Sequence, residues 1–216
     1  MAGELDAGAP LASEALGLAR GTGAPMLIAA TLVALAGTLA DRDPPRARSL
    51  LVESLQLRAT LGFENPSEHT QGALVAARIG DWPLVLELTS RGIGHLQWSG
   101  NRPYLAGVLN LIACAIAASD AEAAAWLQGA ARRLAPASAS GVQTAHRPPP
   151  AESPSGGTSF LTEIRHRTTA ALSHTLGEER LRELRAQGAA SDEDHAVAHA
   201  LDAIARARED KGVAPP

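Results

Sequence analysis

Seven histidines and one cysteine are the side chains of this 216-residue chain best suited to holding a transition metal or acting as a nucleophile. His195 and His199 stand one helical turn apart, a spacing that puts two imidazoles on one helix face, where zinc could bridge them. Zinc needs three or four ligands with supporting hydrogen bonds behind them, and no third ligand stands at a diagnostic spacing. The pair therefore reads as two solvent-side or boundary residues. His166 and His174 lie eight apart, and His166 sits between Arg165 and Arg167, which reads as a small basic surface patch. Cys114 lies in the apolar helical run Leu109 to Ile116 and reads as a small buried thiol. A single cysteine also excludes an internal disulfide framework and a Cys-rich zinc site. Gly21-Thr22-Gly23-Ala24-Pro25 and Ser155-Gly156-Gly157-Thr158-Ser159 both precede helices, where backbone N–H groups can cradle phosphate. Neither ends in Gly-Lys-Ser/Thr, and they read as turn and linker. With no Gly-x-Ser-x-Gly and no His-Glu-x-x-His, no catalytic, cofactor-binding or metal residue is assigned, and a non-enzymatic protein without a cofactor is expected.

The elements that would position such residues are helical. Hydrophobic residues make up 45% of the chain, mostly Ala and Leu, which favour helix, while aromatics are only 3% and no segment alternates with period two. An all-α fold is expected. A net charge of −4 gives no basic stripe for nucleic acid, so no direct nucleic-acid partner is expected; the basic residues are 18 Arg and Lys211. Met1-Ala2-Gly3-Glu4-Leu5-Asp6 is acidic and lacks the basic start of a signal peptide, and the uncharged run Ala24 to Ala40 is short for a membrane span. A cytoplasmic location without membrane contact is expected.

A repeat organises the first two-thirds of the chain. Acidic residues stand at Glu4, Asp43, Asp81 and Asp120, separated by 39, 38 and 39 residues, each placed to cap a helix by accepting backbone N–H groups. Four positions after each comes Gly8, Ala47, Val85 or Ala124, and eleven after comes Ala15, Ser54, Gly92 or Ala131, small residues suited to close helix crossings. The pattern predicts antiparallel helical hairpins stacked as a tetratricopeptide-like solenoid, its period exceeding the usual ~34 residues. Taken in order, the helices are predicted at 10–20, 25–40, 44–61, 67–79 with Ser67 as its cap, one entered through the tight turn Gly80-Asp81-Trp82-Pro83 and running to about Trp98, 104–118 and 121–134. Residues 1–135 are thus a repeat array that starts mid-repeat, 136–157 a Pro/Ser/Gly-rich flexible linker, 158–208 a C-terminal helical segment and 209–216 a disordered tail. Within the C-terminal segment, helices are predicted from Thr158 or Ser159 to Leu176, from Glu178 to Gln187 with Gly188 as C-cap, and from a capping-box-like Ser191-Asp192-Glu193-Asp194 onward.

Three stretches carry a resemblance: Ala125-Trp126-Leu127-Gln128-Gly129-Ala130-Ala131, Leu176-Gly177-Glu178-Glu179-Arg180-Leu181, and Gln187-Gly188-Ala189-Ala190-Ser191-Asp192-Glu193-Asp194-His195-Ala196-Val197-Ala198-His199-Ala200-Leu201. Together they resemble the end of the helical-repeat region in bacterial LuxR-type transcriptional regulators and adenylate-cyclase-type signalling ATPases, common in actinobacteria. His195 and His199 depart from that pattern, which favours small or apolar residues there, as does the long Pro-rich insertion. Members of the family carry an ATPase module ahead of the repeats and often a cyclase or a DNA-binding helix-turn-helix. Since these 216 residues hold no motif of any of them, the resemblance implies a sensor or interaction arm, part or relative of such a regulator. The expected function is a protein-interaction or signal-sensing module holding a protein or peptide on its surface; the alternative is a regulatory segment controlling a cyclase-type or ATPase enzyme. Leu11, Ala15 and Leu18 lie along a helix predicted to lack its usual neighbour, so self-association through residues 10–20, or coverage of that helix by upstream sequence in a longer polypeptide, is a further expectation.

Overall fold

The computed structural model of the chain describes residues 3–62, 66–135 and 156–209. Among them are ten α-helices and no strand: α1 (Gly3–Thr22), α2 (Pro25–Leu39), α3 (Pro44–Thr60), α4 (Pro66–Arg78), α5 (Trp82–Trp98), α6 (Arg102–Ile116), α7 (Ala121–Leu134), α8 (Gly156–Leu176), α9 (Glu178–Ala190) and α10 (Glu193–Glu209). The all-α expectation holds. The chain divides into two compact units, residues 1–92 and 93–216, with the boundary inside α5. Most of the predicted 136–157 linker and of the 209–216 tail lies outside the described residues, and α8 begins at Gly156, two residues before the predicted start.

Three of the four acidic positions act as predicted. Asp43 accepts the N–H of Arg46, Asp81 that of Leu84 and Asp120 that of Ala123, satisfying one otherwise orphaned donor at the start of α3, α5 and α7. Glu4 instead lies inside α1, which begins at Gly3. Pro10, read as a helix start, also falls within α1, where its exposed ring displaces no packed neighbour. α4 likewise starts at Pro66, one residue before Ser67, so Ser67 does not occupy the predicted cap position.

In the first unit α2 packs against α1, α3 and α4, and α3 against α4. Leu16, Leu32 and Leu35 form a buried cluster, flanked by Ala12, Ile28, Leu39 and Leu50. Ala47 and Val85 are fully buried as the repeat register requires, and Ser54, equally buried, donates its hydroxyl to the carbonyl of Ala29 at 2.8 Å. Arg58, one turn further along α3, ion-pairs with Glu68 of α4 and donates to Ser54. A polar thread thus joins α2, α3 and α4 inside an apolar core. The register fails at Ala15, which is exposed while its neighbour Leu16 is buried. Leu11 and Leu18, at 65% and 69% exposure, form the open apolar face expected of residues 10–20.

In the second unit α6 packs on α7 and α8, and α7 on α8, α9 and α10. Its core is aliphatic, with Leu105, Leu109, Ile112, Ile116, Leu127, Leu172 and Ile204 nearly inaccessible. α8 passes to α9 through Gly177 alone, whose φ of 77° is the left-handed conformation that suits glycine.

Candidate functional site

α7 and α9 meet backbone to backbone. Gly129 and Gly188 face one another across the crossing: a Cβ on Gly129 would overlap the carbonyl of Arg185, and one on Gly188 the carbonyl of Trp126. Gly188, predicted to end its helix, is therefore inside α9, two residues before the end, and the C-cap position belongs to Ser191. A glycine after an acidic-to-basic helical run looks the same whether it ends a helix or admits a second one, and only the packing separates the two roles.

This crossing sets two groups of side chains. On one side Trp126, 9% exposed, is flanked by both candidate histidines, its ring centroid 4.2 Å from His199 and 5.4 Å from His195. Asp192 caps α10 by accepting the His195 N–H, which fixes where the two imidazoles start. Burial is the main cause that holds His199 below its ordinary value, reinforced by the charges of Arg206 and His195 and opposed by Asp120 and Asp202. Arg206 is itself paired with Asp120 at 3.1 Å. Nε2 of His199 is buried and accepts or donates no hydrogen bond among the described residues. Among those residues no third His, Cys, Asp or Glu completes a metal-binding group with the pair.

The sign of the resulting pH dependence follows from that depression. Unfolded, His199 titrates near the ordinary value of 6.5; folded, it titrates lower, so between the two values the unfolded chain binds more protons. The stability contribution is complete above about pH 6.5 and is lost as pH falls through the folded value. The urea midpoint of the wild type is expected to fall more between pH of about 7.5 and 5.5 than that of His199→Gln. An equal fall in both would assign the loss to other groups.

On the other side a cavity of about 690 Å³ lies between α7, α8 and α9, lined by Arg132, Arg133, Thr169, Ser173, Glu178, Leu181, Arg182, Arg185, Ala186 and Ala189. Gln128, 6% exposed, accepts from Arg185, and Arg185 Nη2 also donates to the Thr169 hydroxyl at 2.7 Å. The structure places the remaining candidates elsewhere. His166 and His174 are exposed on α8, and Cys114 is half-buried, receiving the Thr168 hydroxyl at 3.0 Å. Burial pushes the Cys114 thiol up, outweighing the opposing effects of Thr168 and Arg167, which disfavours a thiolate nucleophile.

Sequence reasoning missed the arginine groove. Arg132 and Arg133 stand some fifty residues before Arg182 and Arg185, and nothing in their local spacing announces that they meet. The available signal was a glycine inside each helix, Gly129 and Gly188. No helix among the described residues is long and apolar enough to cross a membrane. Comparison of the chain with protein-family models, with curated proteins and with solved structures gives no match.

Proposed function

We propose that the chain is a non-catalytic helical-repeat module for protein interaction or signal sensing, in which the helix pairs of each unit stack in the tetratricopeptide manner. The observation that carries this reading is the recurrence of one device: Asp43, Asp81 and Asp120 cap α3, α5 and α7, and four residues on Ala47, Val85 and Ala124 are fully buried. A unit repeated with the same cap and a buried aliphatic residue at the same offset is how stacked helical arrays are built, and such arrays serve as binding surfaces. Within the first unit the packing of α2 on α4 as well as on α3 agrees with stacked pairs. The likeness to the repeat arms of LuxR-type regulators and cyclase-type ATPases is part of the same proposal. It gains support from two of the three resembling stretches, which pack together through Gly129 on Gly188 and Trp126 beside His195 and His199. Trp98 and Tyr104, at 84% and 57% exposure, and the Leu11 and Leu18 face offer the apolar side chains that protein interfaces use, for a partner or for self-association.

Affinity capture from native cytosol with the purified full chain, followed by reconstitution of the complex and measurement of its mass, tests the reading. A defined stoichiometric complex with a protein is expected, and an ATPase or cyclase as that protein would favour the regulatory form of the proposal. Hydrolysis of ATP or salt-sensitive binding of duplex DNA by the purified chain would overturn it.

A further inference from the structure

The groove between α7, α8 and α9 concentrates positive charge without neutralising it. Elsewhere in the same unit Arg102 pairs with Glu193, Arg167 with Glu163, Arg180 with Glu122 and Glu183, and Arg206 with Asp120. In the groove, Arg132, Arg133, Arg182 and Arg185 have no carboxylate at ion-pair distance among the described residues, Arg133 Nη1 donating instead to the carbonyls of Ala189 and Ala190 at 3.4 and 3.5 Å. The one acid in its lining, Glu178, accepts from Ser173 at 3.3 Å. Arg185 is the most enclosed of the four and is held by neutral acceptors, Nε on Gln128 at 3.2 Å and Nη2 on Gln128 and Thr169, leaving Nη1 without a hydrogen bond among the described residues. Burial, with Arg132 and Arg165 adding like charge, pushes the Arg185 guanidinium below its usual range, so a nearby anion would relieve it.

We propose that this groove is a binding site for a phosphate group, with the guanidiniums of Arg132, Arg133, Arg182 and Arg185 donating paired N–H bonds to its oxygens. Four cations facing one carboxylate call for more than a single negative charge. A phosphomonoester brings about two on three acceptor oxygens at one point, whereas a carboxylate brings one. No aromatic side chain lines the groove, so it has nothing on which to stack a nucleobase. The same group can arrive on a phosphorylated side chain of a protein or on a small phosphorylated metabolite. The site rests on the α7–α9 geometry and not on the reading of the chain as an interaction module.

Calorimetric titration of the full chain at low salt with inorganic phosphate tests it, followed by a phosphoserine peptide, its unphosphorylated form and a sugar phosphate. Saturable phosphate binding is expected, weakened at least about tenfold in the double variant Arg132→Gln, Arg182→Gln and retained in Arg102→Gln outside the groove. Both groove substitutions replace exposed side chains, and an unchanged melting curve shows that the fold is kept. Tighter binding of the phosphopeptide than of the sugar phosphate assigns the group to a protein, and the reverse order to a metabolite. Absence of saturable binding in the wild type, or an equal loss in Arg102→Gln, would overturn the proposal.

Discussion

Gly188→Ala destabilises the second unit by at least about 2 kcal/mol, although alanine is the better helix former by about 1 kcal/mol. The added Cβ would stand 2.9 Å from the carbonyl carbon and closer still to the carbonyl oxygen of Trp126, and 3.0 Å from the Ala130 nitrogen. Those atoms are helix backbone and cannot rotate aside, so α7 and α9 must separate. Overpacking absorbed by side chains costs about 1–3 kcal/mol, and a clash with backbone belongs at the upper end or beyond it. Gly129→Ala, whose Cβ would stand 2.8 Å from the Arg185 Cα and carbonyl carbon, is expected to cost as much. The two together should cost less than their sum, since either one already parts the helices. Gly94→Ala and Gly107→Ala provide the contrast, because both lie within helices with open space where the Cβ would go. They should stabilise by about 0.5–1 kcal/mol. Urea unfolding followed by circular dichroism reads all four. A gain at position 188 like that at 107 would show that α7 and α9 are not in backbone contact, and the arginine groove and the Trp126 cluster would lose their support.

Ala124→Arg is expected to unfold the second unit outright. Ala124 is fully buried in α7, and an arginine there adds overpacking of about 1–3 kcal/mol to an unpaired buried charge worth several more. The sum approaches the whole stability of a typical domain, about 5–15 kcal/mol. Ala15→Arg tests the same substitution where the repeat register fails. Ala15 is exposed, so the variant should melt close to the wild type. Collapse of Ala15→Arg or survival of Ala124→Arg, read by thermal melting, would show that the packing described for these helices is wrong.

These two pairs also separate what could be read in the residues from what could not. Asp43, Asp81 and Asp120 were legible as caps because the signal is local: an acidic side chain directly before a helix, with apolar residues at helical spacing behind it. The helices from α2 to α7 begin and end within about two residues of expectation for the same reason. Pro10 misled because proline marks a first turn more often than an interior, and α1 tolerates it only with its ring in solvent. Gly188 misled because a close crossing is a property of two helices, and its partner Gly129 lies 59 positions earlier. The groove was hidden on the same ground: its arginines belong to separate helices and become neighbours only through that crossing. The histidine pair was visible as a pair, but Trp126, which gives it its surroundings, was not visible as its neighbour.

The central claim, that the surfaces of the packed helices carry binding, is tested most directly by hydrogen–deuterium exchange. The full chain is compared alone and in the reconstituted complex with its captured protein. Slowed exchange confined to amides of the packed helices is predicted. Slowed exchange confined to residues 136–157 or to the tail beyond Glu209, with the helices unchanged, would contradict the account.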